Sequence, residues 1–297
     1  MDGKAIFALG AVDGNLDLGP ETNAAGTPSE AVSAAMVYQM NLNTSFTGDD
    51  NLYVRLKATD GWTQFLSKPA TYHNEAGDGD GTLSVDKIWY TFPIGEKWEA
   101  TVGPKIENYY MLAATPSVYK PKVLKAFRFG GHGVAFGAST SVGAGLKYTA
   151  DNGFASSITV NSKGAEGSNG FLTKEDENKV NVMAAYTQDN YHVSATYTTQ
   201  SNDWDAWHYY STDNIDGDND ADVDGFALRG WFRPDETGTI VPSVSIGYDT
   251  MTMTNQKNGY TDASGYSIGF NWSDIFQASD TIGIAFGQPI KGTDNDD

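Results

Sequence analysis

The sequence predicts an all-β fold, an antiparallel transmembrane β-barrel with about 13 strands in this chain. Three observations carry that expectation: apolar and polar residues alternate with period two, the connections alternate long and short, and the composition is polar yet rich in aromatics and glycine. Apolar residues make up 39% of the 297, aromatics 12%, and Gly takes 33 positions. A compact α/β enzyme needs a denser Val, Ile and Leu core; this mixture suits a sheet that keeps one face wet. There is no Cys, which excludes a disulfide framework and any thiolate metal site. With 19 basic against 38 acidic residues the net charge is −19, which disfavours nucleic acid as a partner. No apolar run reaches the roughly 18 residues that a spanning helix needs.

Taken in order, a first strand at 4–10 is entered midway. In 35–46, Met36, Tyr38, Met40 and Leu42 alternate with Val37, Gln39 and Asn41, and in 51–58, Leu52, Val54 and Leu56 alternate with Tyr53, Arg55 and Lys57. Strands at 83–92, 97–103, 138–149, 154–161 and 180–187 follow. At 191–199, Tyr191, Val193, Ala195 and Tyr197 alternate with His192, Ser194, Thr196 and Thr198. Two more strands fall at 225–232 and 240–248. At 265–272, Tyr266, Ile268, Phe270 and Trp272 alternate with Ser267, Gly269 and Asn271; at 280–287, Ile282, Ile284 and Phe286 alternate with Gly283, Ala285 and Gly287. The apolar parity changes between Val85 and Ile88, which implies a bulge near Asp86-Lys87 or a later start. The segment 130–141 is assigned to a loop, since an extra strand would break the order of the connections.

The long connections are 11–34, 59–82, 104–137, 162–179, 200–224 and 249–264. The short ones carry turn residues, as in Thr47-Gly48-Asp49-Asp50, Pro93-Ile94-Gly95-Glu96, Asp151-Asn152-Gly153, Gln188-Asp189-Asn190, Pro234–Gly238 and Ser273–Ser279. Long loops on one rim and short turns on the other describe an outer-membrane barrel, whereas a soluble sandwich has no reason to sort them. The barrel reading places Met36, Tyr38, Met40, Leu42, Tyr266, Ile268, Phe270 and Ile284 on lipid, with Arg55, Lys57 and Asn271 inward. An odd strand count, and an end in Thr293-Asp294-Asn295-Asp296-Asp297, imply at least one further closing strand, so 1–297 reads as a barrel incomplete at both ends.

Several segments resemble the cyanobacterial outer-membrane porins, a family related to the carbohydrate-selective OprB-like porins and described as iron-uptake porins. They are Asp2-Gly3-Lys4-Ala5-Ile6-Phe7, Leu42–Gly48, Val85–Gly95, Val102-Gly103-Pro104-Lys105, Gly143–Tyr148 and Ile284–Pro289. The resemblance runs in order along the chain, although no single motif is diagnostic. It implies a barrel of about 16 strands, a homotrimer in the outer membrane, and a passive pore for ions, iron species or sugars. It also implies a surface-layer-homology module that grips peptidoglycan; no such module is found in this sequence.

The longest connection is the third, the position of the loop that narrows general porins. From Lys97 to Arg128 six basic residues face only Glu99 and Glu107, a local +4. Lys105, Lys120, Lys122, Lys125 and Arg128 are therefore constriction candidates, interleaved with Tyr109, Tyr110, Tyr119, Phe127 and Phe129. A solvated basic loop remains the other reading. Arg55, Lys57, Lys147 and Arg229, with Glu99, are expected on the pore wall, either setting selectivity or bracing it. Trp89, Trp98, Tyr148, Trp231 and Trp272 lie near strand ends, as an aromatic girdle would, although Trp231 shares the parity of Arg229 and can face inward.

The acidic segment 200–224 ends in Asp220, Asp222 and Asp224, which with the following Gly225 imitate the opening of a calcium loop, but the closing-Glu position is Trp231. No cofactor is expected beyond Ca²⁺ collected loosely by this acidic segment. His73, His132, His192 and His208 show no metal-ligand spacing, and neither a Gly-x-Ser-x-Gly elbow nor a phosphate-binding Gly loop occurs, so no catalytic residue is assigned. The alternative function is a secreted β-rich calcium- or glycan-binding adhesion protein, which would dissolve in buffer where a barrel requires detergent.

Overall fold

The computed structural model describes residues 1–10, 32–61, 79–120, 127–131, 135–137, 140–164, 170–202, 204, 222–254 and 260–295. Thirteen antiparallel strands form one sheet in sequence order. They are β1 (Asp2–Gly10), β2 (Ser33–Thr44), β3 (Asn51–Asp60), β4 (Ser84–Ile94), β5 (Trp98–Glu107), β6 (Thr140–Thr149) and β7 (Phe154–Ser162). β8 (Asn178–Thr187), β9 (Tyr191–Ser201), β10 (Asp222–Phe232), β11 (Ser243–Thr254), β12 (Tyr260–Ser273) and β13 (Thr281–Asn295) complete it. Every strand read from the alternation is present. Among the described residues two compact units divide the chain, one within Met1–Tyr90 and one within Thr91–Asp297.

In the second unit the usual burial rule is inverted. Val193 is 56% exposed and Ile246 53%, while His192 is 1% and Thr198 0% exposed. Cross-strand pairing collects the two sets on opposite faces: Phe154 faces Tyr186, Leu228 faces Tyr248 and Ile268 faces Phe286 on one, while Thr159 faces Asn181 and Ser245 faces Gly269 on the other. Between neighbouring strands the backbone groups bond one another, so away from the outer edges of β1 and β13 the exposed apolar face can sit in hydrocarbon at little polar cost. Buried polar side chains bond one another in places, as where Thr198 Oγ1 donates to Asn181 Oδ1 at 2.5 Å.

Aromatics mark the boundary beside the short turns. Trp98 packs on Tyr148 at 4.9 Å, Tyr148 on Phe154 at 6.5 Å, and Tyr186 on Tyr191 at 6.2 Å. Six residues along β9 from Tyr191 lies Tyr197, roughly 20 Å at the usual rise, close to the height of a lipid-facing band. Tyr197 donates to Asp224 at 2.6 Å, and beyond that height the outward positions become Asp222, Asp224 and Asp262.

The first unit shows the same polarity. Tyr38 is exposed and Val37 and Gln39 are buried; Arg55 pairs across from Asn41, and Lys57 from Gln39. The turn 45–50 is built on Asp50, which accepts from Ser45 Oγ, the Phe46 and Thr47 amides and Tyr90 Oη.

Two expectations change. The connection read as 249–264 shrinks to 255–259, because β11 and β12 run on to Thr254 and back from Tyr260. Above the lipid band the apolar parity of β11 flips: Ile246 and Tyr248 point outward, but Met251 and Met253 are buried and Thr252 and Thr254 exposed. Its length also falls below that of the 233–242 turn, so the connections alternate in position but not strictly in length. The third connection, expected at 104–137, starts after Glu107, with a register shift between Gly103 and Ile106 where Pro104, which lacks an N–H, interrupts the ladder.

Candidate functional site

The third connection lies on the polar face of β6–β13. A 3-10 turn at Asn108–Met111 sets Met111 over Gly145, where an added Cβ would stand 2.8 Å from Met111 Cβ. The Ala113 amide then donates to Ser157 Oγ on β7 at 3.0 Å. The amides of Val118 and Tyr119 both donate to Ser245 Oγ on β11 at 3.0 Å, and Trp231 Nε1 donates to Thr115 O at 3.1 Å. The Tyr119 ring lies over Gly269 of β12, where any side chain would collide with it, and against Gly283 of β13, where an added Cβ would stand 3.0 Å from it. Burial raises the Tyr119 phenol, and burial followed by the charge of Glu107 raises that of Tyr109 further.

The returning half of the connection is held by Arg229. Its Nε donates to Phe129 O at 2.6 Å, and Nη2 donates to both Asp249 carboxylate oxygens at 2.8 and 2.9 Å. The guanidinium also stacks 4.6 Å from the centroid of Phe136. Phe136 packs with Leu112, Ala135, Met183, Ala185 and Ala227, so an apolar patch of the loop meets an apolar patch of the wall.

Of the expected constriction residues, Lys120 is exposed in this connection and Arg128 stacks on Phe129 at 4.9 Å. Lys105 is exposed but belongs to the irregular part of β5, not to the loop. Lys122 and Lys125 lie outside the described residues. On the wall, Lys147 pairs with Glu99 at 2.5 Å. Arg55 Nε donates to Asn41 Oδ1 and Tyr53 Oη, and Arg55 approaches Asp86 at 3.8 Å; Lys57 is half-buried on the same face. Arg229 is on the polar face as expected, but it is 3% exposed and covered by the loop. Trp231 turns inward, stacked on His192 at 5.6 Å, and Trp89 is buried against Tyr53 at 4.1 Å, so neither belongs to the girdle. Trp98, Tyr148 and Trp272 remain in it.

Asp222 and Asp224 lie in extended β10, and Asp220 is outside the described residues. Among the described residues no three His, Cys, Asp or Glu side chains gather as metal ligands. The seat residues Ser157, Ser245, Asp249, His192 and the glycines carried no sequence signal of their own. Only register brings them under the loop.

Comparison with solved structures decides the fold. The high-pH structure of Pseudomonas putida OprB matches 96% of this chain over 74% of its own, with a TM-score of 0.56 at 11% identity. This is the fold of a porin barrel. A triple mutant of the Rhodopseudomonas blastica porin matches 96% of the chain and 98% of its own at 12% identity, with a TM-score of 0.42. No protein-family model matches the sequence, and no curated protein does.

Proposed function

We propose that this protein forms a water-filled pore in an outer membrane, through which small hydrophilic solutes diffuse passively, and that it has no enzymatic activity. The observation that carries the reading is the loop after β5, folded onto the polar face of a sheet whose other face is apolar and exposed. Such a loop narrows a pore. Lys120, Lys122, Lys125 and Arg128 supply a positive field there, with Lys105 in β5 just before the loop, and low-dielectric walls focus it. Lys147, paired with Glu99, and Arg55, bonded to Asn41 and near Asp86, add to the wall with tempered charge, and Lys57 lies on the same face. The family resemblance supports a homotrimer and inorganic ions, iron species or sugars as cargo.

The test is the reversal potential of single channels in a salt gradient. The protein favours anions, and replacing Lys120, Lys122, Lys125 and Arg128 together by Gln moves the preference toward cations. Raising the salt weakens the effect, since the Debye length is about 8 Å near physiological ionic strength and shrinks above it. Coincident reversal potentials for the two proteins would shift the filter to the acidic outer loops.

A further inference from the structure

We propose that Arg229 is the positioning residue of the constriction: paired with Asp249, it holds residues 127–131, four of them at positive φ, against β11 and thereby fixes the pore's narrowest section. The proposal rests on the pore reading above, and it adds a cause for the loop's position.

Four observations converge on this residue. The guanidinium is fully used: Nε donates to Phe129 O, Nη1 to Leu228 O and Tyr248 O, and Nη2 to Asp249 and, at 3.4 Å, to Gly131 O. Two of those acceptors are loop carbonyls and the others belong to the wall, so one side chain joins both. The loop segment that it holds is unusual: φ is 60° at Phe127, 62° at Phe129, 72° at Gly130 and 117° at Gly131. Non-glycine residues adopt the left-handed region at a cost and keep it only where surroundings impose it. The carbonyls of Phe129 and Gly131 reach Arg229 from this run. The approach is also as close as backbone allows, since a Cβ on Gly247 of β11 would lie 1.7 Å from Gly130 O. Finally, Asp249 neutralises Arg229 locally, so the pair contributes geometry and little field.

A lysine could keep the charge but not the geometry. Its single ammonium cannot reach the loop carbonyls, the wall carbonyls and the carboxylate together, whereas the planar fork does. The latch is therefore specific to arginine.

The experiment compares the intact protein with Arg229→Lys and with Gly247→Ala, which leaves the Arg229–Asp249 pair in place and wedges the loop from the wall. Each is reconstituted for single-channel recording, and amide hydrogen exchange is followed over residues 127–131. Both variants should show a higher and noisier open conductance and faster exchange in that segment, with unchanged heat-modifiable migration on gels. Arg229→Lys conducting and exchanging like the intact protein would overturn the proposal. If Arg229→Lys fails to assemble, Gly247→Ala decides: unchanged conductance and exchange overturn the proposal, and a rise in both supports it. If the intact protein does not conduct at all, the pore reading fails, and exchange alone still tests the latch.

Discussion

Asp50 turns one carboxylate into the organising centre of a turn. The Ser45 hydroxyl, then the Tyr90 hydroxyl and the Thr47 amide and hydroxyl, hold its carboxyl well below the usual carboxylate range, against an opposing cost of burial. A depressed folded value means that the carboxylate stabilises the turn above its unfolded value near 4, and that this contribution fades only as pH falls toward the folded value. Asp50 should remain ionised at pH 3, read from its carboxyl carbon shift; Asp50→Asn should lower the thermal midpoint at neutral pH and flatten the response to acid. At Val193, half exposed on the apolar face, the cost has the other sign. Val193→Lys should destabilise the bilayer-embedded protein by roughly 2–4 kcal/mol in urea titrations, as a cation at mid-depth does. Parity was enough to place Arg229 on the polar face. Its partner could not be read, because Arg229 faces Gly247 directly and reaches Asp249 only diagonally, a relation that exists once the register is set.

The strands were legible because alternation is imposed by two solvents at once, lipid on one side and polar protein or water on the other. It failed where a strand leaves the lipid. In β11 the outward residues change from Ile246 and Tyr248 to Thr252 and Thr254, and Met251 and Met253 turn inward, so an uninterrupted strand looks like a loop. The third connection was legible as long, basic and aromatic. Its seat was not, since serines and glycines at Ser157, Ser245, Gly247 and Gly269 have no distinctive pattern in one dimension. The girdle gives an element-level test with single-tryptophan variants in vesicles. Trp98 and Trp272, beside the short turns, should be quenched by shallow lipid-borne quenchers. Trp231 and Trp89, buried on the polar face, should resist them at every depth; equal quenching of all four would reverse the assignment of faces.

For the molecule as a whole, the inverted burial sets its solvent. Exposed side chains such as Phe154, Val193, Leu228, Ile246, Tyr266 and Phe286 form a contiguous apolar surface that water does not tolerate. Gel filtration without detergent should give aggregates, and with detergent a discrete species; a soluble monomer in plain buffer would favour the adhesion alternative instead. The Arg229 seat has another consequence, in time. The loop precedes its seat in the chain: Phe129 is 100 residues before Arg229, and Tyr119 is 126 before Ser245. If strands join in sequence, the loop is made long before β10–β13 exist to receive it. Contacts this distant reward the chain only after a large loop closes, so they form late. Assembly should therefore show two phases, a first that builds the sheet and a slower one that narrows the pore, and Gly247→Ala should remove the second and spare the first.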